Sequence, residues 1–202
     1  MLIYFFSYAE QNIIEHAASG HVTTGFWGCV SGEGTVCLVP TTPRMNAAEY
    51  VRILEENLVP AAADIFGEEE EFFFVQDNSP VHNANLTRDF FDRHAWIQLL
   101  RWPRYSPDCN IIEEVWGMMI KEWDCRRERD ADHLRAHVQE VWESLGRRPE
   151  FFRRLAASMP RRWLAVREPT SREASTTPRD RWSTLIGRMH RAIRRAPSRR
   201  VF

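Results

Sequence analysis

The chain has 202 residues, 44% hydrophobic and 27% charged, a balance that excludes a disordered or fibrous polypeptide and leaves room for one sizeable core with extensions. The net charge of −1 hides an asymmetry: residues 169–202 carry nine Arg against Glu173 and Asp180, or +7, so the first 168 residues sum to −8. The tail can therefore attract a polyanion, whereas the body cannot do so by net charge alone.

Met1-Leu2-Ile3-Tyr4-Phe5-Phe6 lacks a basic flank and is too short to span a bilayer, so residues 1–8 read as a strand rather than a signal peptide. Residues 9–18 follow as a short helix or loop. Val22–Val30 and Thr35–Val39 read as the arms of a β-hairpin about Gly32-Glu33-Gly34, with Gly25 and Gly28 weakening the first arm. A helix then starts at Asn46, with Glu49 placed to complete a capping box and Met45 to staple onto Tyr50. Its apolar stripe is Tyr50, Ile53, Leu54 and Leu58, and Pro60 is expected to end it.

Asp64–Glu71 reads as a solvated acidic loop rather than a cation site, because adjacent carboxylates on one loop repel each other. Phe72–Val75 has the continuous apolar character of a strand buried on both faces. A helix over 84–93 and a strand over 96–100 complete a βαβ unit, the signature of an α/β sheet. After the proline-containing connector 102–110, helices are predicted over 111–123 and 132–145, with one or two short ones over 149–167 and Pro160 able to open the second. From Glu168 the composition becomes that of a linker. The predicted organisation is one domain, 1–167, and an Arg-rich, disordered tail, 168–202. The four cysteines, Cys29, Cys37, Cys109 and Cys125, show no CxxC spacing and are read as reduced, mostly buried thiols.

Two carboxylates stand out. Asp77 follows the apolar strand 72–75, and ligands of open α/β sheets bind beyond the carboxyl ends of strands. At 100° per residue, Ile112, Val115, Trp116, Met119, Ile120 and Trp123 share one stripe of the helix after Asn110. Glu113 borders that stripe and Glu114 points to solvent. Each acid also has a structural reading: Asp-Asn-Ser-Pro is turn chemistry, and Glu113 sits at a capping position. As a pair at one cleft they suit Mg²⁺ or Mn²⁺, hard ions that prefer oxygen and serve phosphoryl transfer. His82, a poor Mg²⁺ ligand, reads as a loop-ordering or phosphate-proximal residue.

Asp77-Asn78-Ser79-Pro80-Val81-His82 resembles the DNxPxH block of mariner-type (Tc/mariner superfamily) DDE transposases. Trp102-Pro103 with Ser106-Pro107-Asp108-Cys109-Asn110-Ile111-Ile112-Glu113-Glu114-Val115-Trp116-Gly117 resembles their WPxxSPDLNPIExxWG block. Phe26-Trp27-Gly28-Cys29-Val30 resembles the VWGCxSxxG hairpin, and residues 50–60 and 158–162 resemble further blocks. The resemblance spans residues 13–167 and implies a ribonuclease H-like fold, a mixed sheet flanked by helices with an incomplete or altered first strand. It also implies metal-dependent cleavage and joining of DNA. Asp77 and Glu113 would be the second and third members of a catalytic, metal-binding triad, with Mg²⁺ or Mn²⁺ as cofactor and DNA as partner. A homodimer and, in a eukaryote, a nuclear location are compatible with that role.

The first acid of the triad has no counterpart of the right kind. Ser7-Tyr8-Ala9-Glu10 resembles the family's FSDE stretch with Tyr in place of Asp, and it lies close to the hairpin; Glu10 is the other acid at hand. That aspartate normally bridges both ions, so its loss implies strongly reduced strand transfer. The helix-turn-helix modules with which the family grips transposon ends also lack a counterpart, so an N-terminally truncated domain is expected. A non-catalytic transposon remnant or DNA-binding module is the alternative reading.

Overall fold

In the computed structural model, residues 24–100, 110–128 and 130–162 are described in full, and residues 4–8 and 163–166 as backbone. The strands are β1 (Tyr4–Tyr8), β2 (Gly25–Ser31), β3 (Gly34–Thr41), β4 (Phe72–Val75) and β5 (Ile97–Leu100). They form one sheet of order β3-β2-β1-β4-β5. β1 pairs antiparallel with β2 and parallel with β4, and β4 pairs parallel with β5. The sheet is therefore mixed, and β1 is its central strand. The aromatic N-terminal run forms this strand despite its short separation from the hairpin. The predicted helix or loop over 9–18, most of the 102–110 connector and the tail from 168 lie outside the described residues.

Helices cover both faces. Alternation along β4 sends Phe72 and Phe74 into a core with Trp27, Tyr50, Leu54 and Phe90, from the side of α1 (Ala47–Ile53) and α3 (Asn85–Arg93). Phe73 and Val75 join Phe26 and Val30 in a second core beneath α4 (Ile111–Lys121), α5 (Ala131–Gly146) and α6 (Pro149–Val166). Every residue of β4 is buried, as its unbroken apolar run requires.

Pro60 does not end the first helix. The chain passes from α1 through a π-helical turn, Leu54–Leu58, into α2 (Val59–Phe66), so Asp64 belongs to a helix and the acidic loop begins only at Gly67. Proline lacks an N–H and crowds the carbonyl four residues back; the wider turn absorbs that misfit, and Asn57 Nδ2 donates to the Ile53 carbonyl at 3.2 Å. Pro160 likewise sits inside a single α6. Phe152 and Met159 are buried in the core on the α6 stripe, which holds the helix together across the missing hydrogen bond.

At the start of α1, Asn46 Oδ1 accepts from Glu49 N–H at 2.9 Å. The Glu49 carboxylate turns to Thr42 instead, accepting from its N–H at 2.8 Å and from its hydroxyl. It thereby ties the end of β3 to the helix.

Candidate active site at the carboxyl ends of β1 and β4

Beyond Val75 the chain winds into a tight loop that fixes Asp77. Ser79 N–H donates to Asp77 Oδ1 at 2.9 Å, an Asx turn. His82 Nδ1 lies 2.5 Å from the same oxygen, and since a carboxylate can only accept, the imidazole N–H donates. The His82 side chain is fully buried, whereas that of Asp77 keeps 21% of its surface open. His82 is in turn packed against Tyr50, ring centroids 4.4 Å apart. Tyr50 O–H donates to Gln76 Oε1 at 2.7 Å, and Gln76 Nε2 donates to the His82 carbonyl at 3.2 Å. Thr87 O–H donates to the Val81 carbonyl at 2.7 Å and anchors the loop on α3. His82 is therefore a loop-ordering residue that holds Asp77.

Glu113 occupies the first turn of α4, whose N-cap is Asn110; the Asn110 side chain accepts from Ile112 N–H. Glu113 is half-buried and Glu114 exposed, as helical phase predicts. The buried arc differs at three positions: Trp123 lies beyond the end of α4 and is half-buried, and Ile111 replaces Ile120. Ile120 is 54% exposed, while Ile111 is fully buried, because α5 and α6 pack on the Ile111, Val115 and Met118 side of the helix. Arg162 of α6 pairs with Glu114 at 3.2 Å and so braces the turn that carries Glu113.

The register shows how these elements converge. β1 runs parallel to β4 with Phe6 opposite Val75, the last paired residues of the two strands; position 8 and Asp77 each come two residues further along their chains. Tyr8 is also opposite Gly28 in β2. A Cβ at Gly28 would come within 3.0–3.2 Å of Trp116 and Ile112, so glycine is what lets α4 lie directly on the strand there. Asp77 is thus on one flank of position 8, and the acidic first turn of α4 packs over the other. Position 8 holds tyrosine. Sequence reasoning missed the Tyr50–Gln76–His82 network and the Arg162 brace. The only signal of the former was a polar Gln76 directly after an apolar strand.

Among the described residues, no group of three or more His, Cys, Asp or Glu is arranged to hold a metal ion. Asp77 and Glu113 suit Mg²⁺ or Mn²⁺ in kind, being hard oxygen donors. In number they suit one ion that keeps waters and takes substrate phosphate, not a bridged pair. A separate cavity of about 240 Å³ lies at the opposite end of α4, between Glu122, Asp124, Arg127, His137, Glu140 and Ser144. Its acids are already paired, Glu140 with Arg127 at 2.9 Å and Glu122 with Arg148 at 3.4 Å.

Residues 10–135, more than half of the chain, match the family described as DDE superfamily endonuclease. The chain belongs to this family, as a mariner-type DDE transposase catalytic domain. It is 31% identical over 159 residues to the Transposable element Tcb1 transposase of Caenorhabditis briggsae, covering 79% of this chain and 56% of that transposase. The DDE chain thus spans about half the length of that relative. The Mos1 transposase catalytic domain solved with Raltegravir and Mn superposes with a TM-score of 0.63 at 19% identity, over 82% of this chain and 80% of that one. The Mos1 transposase paired-end complex with left transposon end gives 0.64 at 18%, over 82% and 54%. These neighbours establish the ribonuclease H-like fold of the DDE domain.

Proposed function

We propose that this DDE domain binds DNA across the carboxyl ends of β1 and β4 and acts on its phosphodiester bonds with a divalent cation, at a rate limited by the tyrosine at position 8. The carrying observation is the placement of Asp77 and the α4 first turn on either side of that position. Asp77 and Glu113 would hold the ion, Mg²⁺ or Mn²⁺. His82 and Ser79 fix one Asp77 oxygen and leave the other for coordination. A single ion held there would polarise a phosphoryl oxygen or lower the pKa of a bound water, without the clamp on both attacking and leaving oxygens that a pair of ions supplies. The Mos1 structures with Mn and with left transposon end support metal and DNA as ligands, and the paired-end complex supports a dimer on DNA. A DNA substrate in a eukaryotic cell places the protein in the nucleus.

A second reading, a DNA-binding transposase remnant without catalysis, is favoured by Tyr8. Nicking of supercoiled plasmid in Mg²⁺ or Mn²⁺ separates the two. The catalytic reading expects slow, metal-dependent nicking that falls in Asp77→Ala and in Glu113→Ala. Equal rates in all three proteins would end it.

A further inference from the structure

Cys29 and Cys37 are direct partners across the β2–β3 hairpin, outside the site described above. Opposed residues of an antiparallel pair have Cα atoms about 4.5 or 5.5 Å apart, and both values lie within the roughly 4.4–6.8 Å that a disulfide spans. Both side chains are on the α1 face of the sheet: Cys29 is fully buried in that core, and Cys37 packs half-buried against it. The register shifts immediately beside the pair, between Cys29 and Val30, a bulge that raises the local twist. β3 is an edge strand, so its thiol can be reached from solvent, whereas Cys29 is enclosed between β1 and β3. Both thiols are free.

We propose that Cys29 and Cys37 are a thiol–disulfide site, oxidised to a reversible cross-strand bond by a small-molecule disulfide of the glutathione type. Cys37, the accessible thiol, attacks as its thiolate, forms a mixed disulfide and releases one small thiolate. Cys29 then loses its proton and attacks Cys37 Sγ, expelling the second. Two protein thiols and one small disulfide become one protein disulfide and two small thiols, with the two cysteine protons carried off on the latter. The order of attack follows from position. Burial first, and then the hydrogen bond with Cys37, push the Cys29 thiol well above its ordinary range, so Cys29 is the poor first nucleophile. Cys29 is also opposite Ser7 of β1, next to Tyr8 and Gly28, so the bond would pin the strand that supports position 8.

The test incubates the full chain in graded mixtures of reduced and oxidised glutathione, blocks remaining thiols by alkylation and maps peptides without reduction. Exposed Cys125 is the internal control, since it should collect only a glutathione adduct. The expected result is a linked Cys29–Cys37 peptide that excess reduced glutathione removes. Cys37→Ala should abolish it, and Cys29→Ala should leave glutathione trapped on Cys37. In urea the preference for this pairing over others should disappear. A native chain with glutathione on Cys125 and both hairpin cysteines still alkylated would overturn the proposal, as would Cys37 accumulating as a stable glutathione adduct.

Discussion

The hydrogen bond from His82 to Asp77 should be measurable as a coupling energy. His82→Leu removes the donor and keeps an apolar side chain in the buried site, while Asp77→Ala removes the acceptor. A net hydrogen bond to a charged group contributes about 1.5–3 kcal/mol. Asp77 retains 21% exposure, so water replaces part of what is lost, and the expected coupling in the double-mutant cycle is about 1–2 kcal/mol. His82→Asn carries an amide N–H near the place of Nδ1 and should keep most of that coupling, although it loses the ring packing on Tyr50. Urea denaturation followed by the fluorescence of the eight Trp gives the energies. A coupling below about 0.5 kcal/mol, the level at which unlinked sites are additive, would refute the role assigned to His82.

Gly28→Ala should destabilise the fold by about 1–3 kcal/mol, because its Cβ meets the Trp116 ring and Ile112; an unchanged urea midpoint would mean that α4 does not press on β2 there. Asn46→Ala should cost about 1 kcal/mol through loss of the N-cap bond to Glu49, read as a lower midpoint at constant slope. Asp130, the N-cap of α5, accepts from the backbone and ring of His133 and from Asp132 N–H, which hold its carboxyl below the usual range. The folded pKa lies below the unfolded one, so this contribution is present above the unfolded value and is lost as pH falls through the folded value. Asp130→Asn should therefore flatten the loss of stability below about pH 4, and an unaltered acid limb would contradict the assignment. Deleting residues 169–202 removes a net +7 and should reduce the salt slope of DNA binding by up to about 6; an unchanged slope would take the tail out of DNA binding.

What could be read in advance was local. Phe72–Val75 announced a strand buried on both faces because nothing polar interrupts it, and helical phase separated Glu113 from Glu114 because that depends on angle alone. Elements set by competition between levels were harder to read. Pro60 and Pro160 mark ends by local rule, yet both lie within continuing helices, one relieved by a π turn and the other held by its buried stripe. Ile120 belongs to the apolar arc of α4 by phase but is exposed, since α5 and α6 shift the contact toward Ile111. His82 could be placed near Asp77 by its five-residue separation. That it is buried, and that Gln76 and Tyr50 hold it, arises from pairing across 26 residues, which no local pattern encodes.

On the proposed function, position 8 is where a third carboxylate would complete the site. Tyr8→Asp should raise Mg²⁺- or Mn²⁺-dependent plasmid nicking by about 100-fold or more, the scale of one electrostatic contact to a transition state. The same variant should gain thermal stability on adding Mn²⁺, because an ion that binds only the folded chain stabilises it. Both gains should vanish when Asp77→Ala is added. A folded Tyr8→Asp variant that neither nicks faster nor responds to the ion would contradict a metal site at position 8.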